Sequence, residues 1–152
     1  MLTRRSFLIT SLAAPAAGLL ATPALAMSPR IFNTDGVAIR GYDAVAYFKE
    51  SNDVEGSADF SVLWKGVEWR FANAENLADF EANPERWAPQ YGGYCAFAMA
   101  HDAIAPTAAN AWTVHNDKLY LNANRAVRTR WALSKDRFIE QADANWPNHA
   151  TV

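Results

Sequence analysis

The 152-residue chain has one cysteine, Cys95, and three histidines, and each scarcity excludes a class of chemistry. A single thiol forms no internal disulfide, so Cys95 must be buried, metal-bound, reactive, or paired with another molecule. No C-x-x-C, H-x-x-H or H-E-x-x-H spacing occurs, so a closed zinc site is not expected. Positive charge is also short. The chain carries a net charge of −2, whereas a nucleic-acid binder needs a basic stripe. Repeats and low-complexity tracts are absent, which leaves out solenoids and flexible arrays.

What is present begins with a leader. Residues 1–26 run from Arg4-Arg5 through an Ala-rich apolar middle to Ala24-Leu25-Ala26, the grammar of an export signal with an A-x-A cleavage site. The arginine pair stands directly before Ser6, Phe7 and Leu8, as in twin-arginine signals. The middle is too interrupted for a bilayer span, so the expectation is cleavage after Ala26 and a periplasmic domain over 27–152. Beyond Ala26, twelve Lys and Arg against sixteen Asp and Glu leave a charge of −4.

The remaining 126 residues suffice for one domain with a sizeable, aromatic-rich core. Residues 27–36 read as an extended lead-in, and Val45–Phe48 as a short strand-like run after a Gly41-Tyr42-Asp43 turn. Phe60, Val62 and Trp64 alternate, then Val67, Trp69 and Phe71, with Lys65-Gly66 between them: a β-hairpin. A helix capped by Asn73 follows, with Leu77 and Phe80 on one stripe and Pro84 at its end. Trp112 and Val114, then Leu119 and Leu121, form a second hairpin around Asn116-Asp117. Two helices close the chain, one carrying Val127 and Trp131, the other capped by Ser134 and carrying Phe138 and Ala142. The fold class is α+β: two antiparallel hairpins packed against short helices.

The chemistry gathers in "YGGYCAFAMAH", residues 91–101. As a helix this stretch puts Cys95 in the first turn, where amide N–H groups favour thiolate. As a strand it puts Cys95, Phe97, Met99 and His101 on one face. Either way Cys95 and Met99 point together, a pairing that suits Cu(I) or another soft ion. The plain alternative is packing, since cysteine and methionine both fill cores. His101 reads as a surface or capping residue, His115 as solvated hairpin edge, and His149 as disordered tail. Asp43 has two readings as well: an Asx-type tie to backbone amides, or a candidate acid/base or ligand that approaches Cys95.

"GYDAVAYF" (41–48), "WKGVEWRFANAENLADFEANPERWAPQYGGYCAFA" (64–98), "AWTV" (111–114), "KLYLN" (118–122) and "ADANWP" (142–147) together resemble the YHS-domain family in its exported bacterial branch. The resemblance implies a YHS-like fold and a link to metal handling. Many short members carry cysteines before the first strand and at the hairpin–helix junction. Here those places read Val37-Ala38-Ile39-Arg40 and Phe71-Ala72-Asn73. The exported branch keeps "GGYCA", and some members similar to this chain encode selenocysteine at the position of Cys95. That implies a thiol with work to do.

Three functions follow as expectations. One is a periplasmic module that binds a soft transition metal such as copper through Cys95, with Met99 and His101. The second is a thiol-redox protein or thiol-dependent enzyme in which Cys95 reacts with a small external thiol. The third is a non-catalytic partner-binding domain with a buried structural cysteine.

Overall fold

The computed structural model describes residues 30–150, so the expected leader and cleavage site lie outside the described residues. Twelve elements of strand and α-helix follow in chain order: β1 (Asn33–Thr34), β2 (Val37–Ala38), α1 (Ala46–Lys49), β3 (Ser57–Trp64), β4 (Val67–Phe71), α2 (Ala74–Ala82), α3 (Pro84–Trp87), α4 (Ala96–Ala100), β5 (Trp112–His115), β6 (Lys118–Leu121), α5 (Arg125–Ala132) and α6 (Lys135–His149). They make a small α+β domain with a mixed four-stranded sheet, ordered β1-β2-β4-β3, and a separate β5-β6 ribbon. The parallel pairing in the large sheet is β2 with β4, in register at Val37 and Glu68.

Turn chemistry sets the hairpins. Lys65 (φ 51°) and Gly66 (φ 77°) join β3 to β4, and Asn116 (φ 48°) and Asp117 (φ 62°) join β5 to β6. Two successive left-handed residues match the right-handed twist of the flanking strands. Asp35 (φ 52°) and Gly36 (φ 81°) do the same between β1 and β2. The lead-in expected at 27–36 is therefore partly a third hairpin, too short for its alternation to be read.

Helix caps follow the sequence closely. Asn73 Oδ1 accepts from the Asn76 amide at 2.8 Å, and Asn124 Oδ1 accepts from the Val127 amide at 2.9 Å. Each satisfies one of the donors that a helix start leaves open. Pro84 opens α3 at a position that needs no N–H. Ser134 stands at the start of α6 but forms no side-chain cap bond. The strand expected at Val45–Phe48 is a helical turn instead. Asp43 accepts from the Val45 and Ala46 amides and so starts α1 at that point, overriding the β-preference of valine and the aromatics.

Two apolar clusters result. The first lies on the large sheet, where Trp69, Phe71 and Phe80 are buried and Trp69 stacks on Phe80 at 5.0 Å. The second lies under α4, α5 and α6 and gathers Tyr91, Met99, Tyr120, Trp131 and Phe138. The stretch around Cys95 runs between β-rich and helical halves.

Candidate functional site

Cys95 is delivered by an unusual piece of backbone. Tyr91, Gly92 and Gly93 adopt φ of 57°, 61° and 84°, three consecutive left-handed residues. For Tyr91 this costs about 1–2 kcal/mol, since its Cβ crowds a carbonyl oxygen. Gly92 is required for a second reason: a Cβ there would lie 2.0 Å from the Arg30 carbonyl oxygen. That close approach lets the Phe32 amide donate to Gly92 O at 2.8 Å. A second left-handed run, Ile39, Arg40 and Gly41, is tied to the first. Arg40 Nε donates to Thr107 O at 2.8 Å, and Thr107 Oγ1 donates to Gly93 O at 2.7 Å.

Beyond the turn the chain becomes helical only from Ala96, so the strand alternative is not adopted and Cys95 stands before the first helical turn rather than in it. Cys95 is the residue just before α4, in extended conformation, and its carbonyl accepts from the Met99 amide at 2.9 Å. Its own amide donates to Ala105 O at 3.0 Å. The residue is 1 % exposed, and its thiol donates to Asn122 Oδ1 at 3.6 Å. The same oxygen accepts from the Phe97 amide at 3.1 Å. Asn122 is fully buried just after β6, its backbone held by Ala111 O and the Ala108 amide. Its Nδ2 meets no acceptor among the described residues.

Of the other predicted residues, Met99 is buried like Cys95 while the histidines lie at the surface. Met99 is fully buried in the second cluster, and its carbonyl accepts from Asn145 Nδ2 at 2.9 Å. His101 ends α4 at the surface, with Nδ1 2.8 Å from Phe97 O and its ring 4.6 Å from that of Phe97. The strand geometry that would have aligned His101 with Cys95 does not form. His115 is drawn in from the hairpin edge, 2.9 Å from Asp136 Oδ1 with its side chain 23 % exposed. His149 is not tail: it closes α6, 2.7 Å from Asp102 Oδ1. Among the described residues no three His, Cys, Asp or Glu side chains converge as a metal site would need.

Asp43 is fully buried and committed elsewhere. Oδ1 accepts from the Val45 and Ala46 amides at 2.8 and 3.1 Å; Oδ2 accepts from the Ala72 amide at 2.9 Å and Asn76 Nδ2 at 2.7 Å. Four donors occupy the lone-pair sites of a carboxylate. The Asx-type reading is what the geometry contains, extended to a junction of α1, β4 and α2.

Sequence reasoning missed Asn122. Its one signal was position, a polar residue directly after the alternating Leu119 and Leu121. It also missed a cleft of about 140 Å³ on the far side of the left-handed turn, bordered by Trp64, Gln90 and Trp146. No helix among the described residues is long and apolar enough to cross a membrane. No protein-family model matches the chain, and neither a curated protein nor a solved structure matches it.

Proposed function

We propose that this chain is a non-catalytic binding domain of the exported YHS type, with Cys95 as a structural thiol. One observation carries the reading: Cys95 is 1 % exposed and its thiol's hydrogen-bond partner is an amide oxygen, Asn122 Oδ1. A carbonyl oxygen accepts from S–H, whereas a reactive or metal-bound thiolate is served by donors or a cation. Export rests on the Arg4-Arg5 and Ala24-Leu25-Ala26 features of the leader.

Thiol labelling and a copper titration together test it. Native protein should resist a thiol reagent until denaturant is added, and Cu(I) uptake should be the same in wild type and Cys95→Ser. Rapid labelling of the native protein would favour the thiol-redox reading instead. Stoichiometric copper uptake that disappears in Cys95→Ser would favour soft-metal handling through Cys95, with Met99 or His101 as further ligands.

A further inference from the structure

β3 is an outer strand of the large sheet, with β4 on one side of it and no strand on the other among the described residues. The tight turn at Lys65-Gly66 makes Trp64 and Val67 the closing hydrogen-bonded pair. Leu63–Glu68 and Ser61–Arg70 are then the alternate pairs, which exchange no hydrogen bonds. The Glu68 amide agrees, donating away from β3 to Gly36 O at 2.9 Å. The N–H and C=O groups of Ser61 and Leu63 therefore point outward, and among the described residues they meet no backbone partner beyond the sheet.

Proteins blunt such edges with charges, prolines or bulges. Here the bulge stands at the start of the strand, between Ser57 and Ser61, and residues 60–64 contain neither charge nor proline. The stretch is apolar on both faces. Phe60, Val62 and Trp64 are half-buried against the core, while Leu63 is 73 % exposed on the opposite face.

The flanking charges make this edge complementary to itself. Asp59 and Lys65 lie at equal distance in sequence on either side of Val62. Asp59 has no ion-pair partner among the described residues, whereas Lys65 meets Glu85 with only one of its donors. Two copies laid antiparallel about Val62 set each Asp59 toward Lys65 of the second copy. The same register sets Ser61 opposite Leu63 of the second copy, so outward N–H and C=O groups pair on both sides of the axis. The two Leu63 side chains become diagonal neighbours on one face. The neighbouring register, centred on Ser61, would set Asp59 against Leu63 instead.

We infer that the β3 edge is a self-association surface, on which two copies pair antiparallel about Val62 into one continuous sheet. The contact is isologous and short, so the dimer is weak and concentration-dependent.

Sedimentation equilibrium of the full chain tests it and should show a monomer–dimer equilibrium. Leu63→Lys, at an exposed site, should weaken the dimer at least about tenfold with circular dichroism unchanged, because it brings like charges together across the axis. Asp59→Lys should also weaken it, and adding Lys65→Asp to that variant should restore association. Under a mild oxidant Val62→Cys should form a covalent dimer and Ser61→Cys should not, since Val62 alone faces its own copy. Monomer at every concentration would overturn the inference and leave the edge to an extended peptide. A dimer indifferent to Leu63→Lys would overturn it by placing the interface on another face. No rescue by the charge swap, or equal cross-linking from Ser61→Cys and Val62→Cys, would overturn the register about Val62.

Discussion

Asp43 and Asn76, 33 residues apart in sequence, meet at 2.7 Å in the interior, where the carboxylate accepts from the amide nitrogen. The contact joins the turn before α1 to the first turn of α2. Because Asp43 also takes three backbone amides, it ties α1 to β4 and α2 from the inside of their packing.

Asp43→Ala should therefore cost about 3–5 kcal/mol, because it strands several buried donors at roughly 1–3 kcal/mol each. Asp43→Asn should recover little, since an amide group turns a donor toward the Ala72 and Asn76 donors. Urea denaturation of both variants reads the effect. A loss under about 1 kcal/mol for Asp43→Ala would contradict the junction role.

Gly92→Ala should be far more damaging than Gly66→Ala. Both sites have positive φ, but a Cβ at Gly66 meets nothing within 4 Å, whereas at Gly92 it strikes Arg30 O. The expected costs are about 1 kcal/mol at Gly66 and more than about 3 kcal/mol at Gly92. Because the Gly92 turn leads straight to Cys95, native thiol labelling should also accelerate in Gly92→Ala alone. Similar midpoints for the two variants would count against this.

Asn122→Ala should cost about 1–2 kcal/mol, less than most losses of a buried side chain that takes two hydrogen bonds. The variant strands the Phe97 amide and the thiol, yet it removes the buried Nδ2 that has no acceptor among the described residues. Paired denaturation curves with Asp43→Ala provide the comparison. A cost equal to that of Asp43→Ala would show that Nδ2 is satisfied in solution.

Alkali should unfold the domain cooperatively. Burial pushes the Tyr120 phenol up to about 12, helped by Asp143 and Asp136, and raises Tyr47 and Tyr91 further. A folded-state value above the unfolded value of 10 favours the protonated form. That stability is complete below pH 10 and is lost as pH rises through the folded values. Phenolate absorbance near 295 nm should thus appear together with loss of helical circular dichroism. Most tyrosines titrating near pH 10 with the dichroism intact would refute it.

The hairpins and the α2 cap were legible because their signals are local: Lys65-Gly66, Asn116-Asp117 and Asn73 act within four residues. What escaped depends on partners far along the chain. α1 exists because Asp43 caps it while also reaching Ala72 and Asn76, and no window around Val45 contains that information. His115 and His149 read as solvent-facing because Asp136 and Asp102 are distant in sequence. At the candidate site, Cys95 was found by its rarity, but Asn122 lies 27 residues away. The convergence of Met99 and His101 with it was inferred from spacing, and helical geometry places them apart in environment, one buried and one exposed.

The direction of the chain gives the Cys95 contacts a timetable. The acceptors for its amide and its thiol, Ala105 and Asn122, both lie downstream, and α6, which packs on α4, follows them in the chain. During synthesis the thiol has no partner until the β5–β6 ribbon has emerged. The helix that follows it, α4, stays uncovered until the fifteen residues of α6 have been made. A chain truncated before residue 122 would leave the thiol without its acceptor, and one truncated before residue 135 would leave α4 and its aromatic cluster uncovered, a state in which aggregation competes with folding.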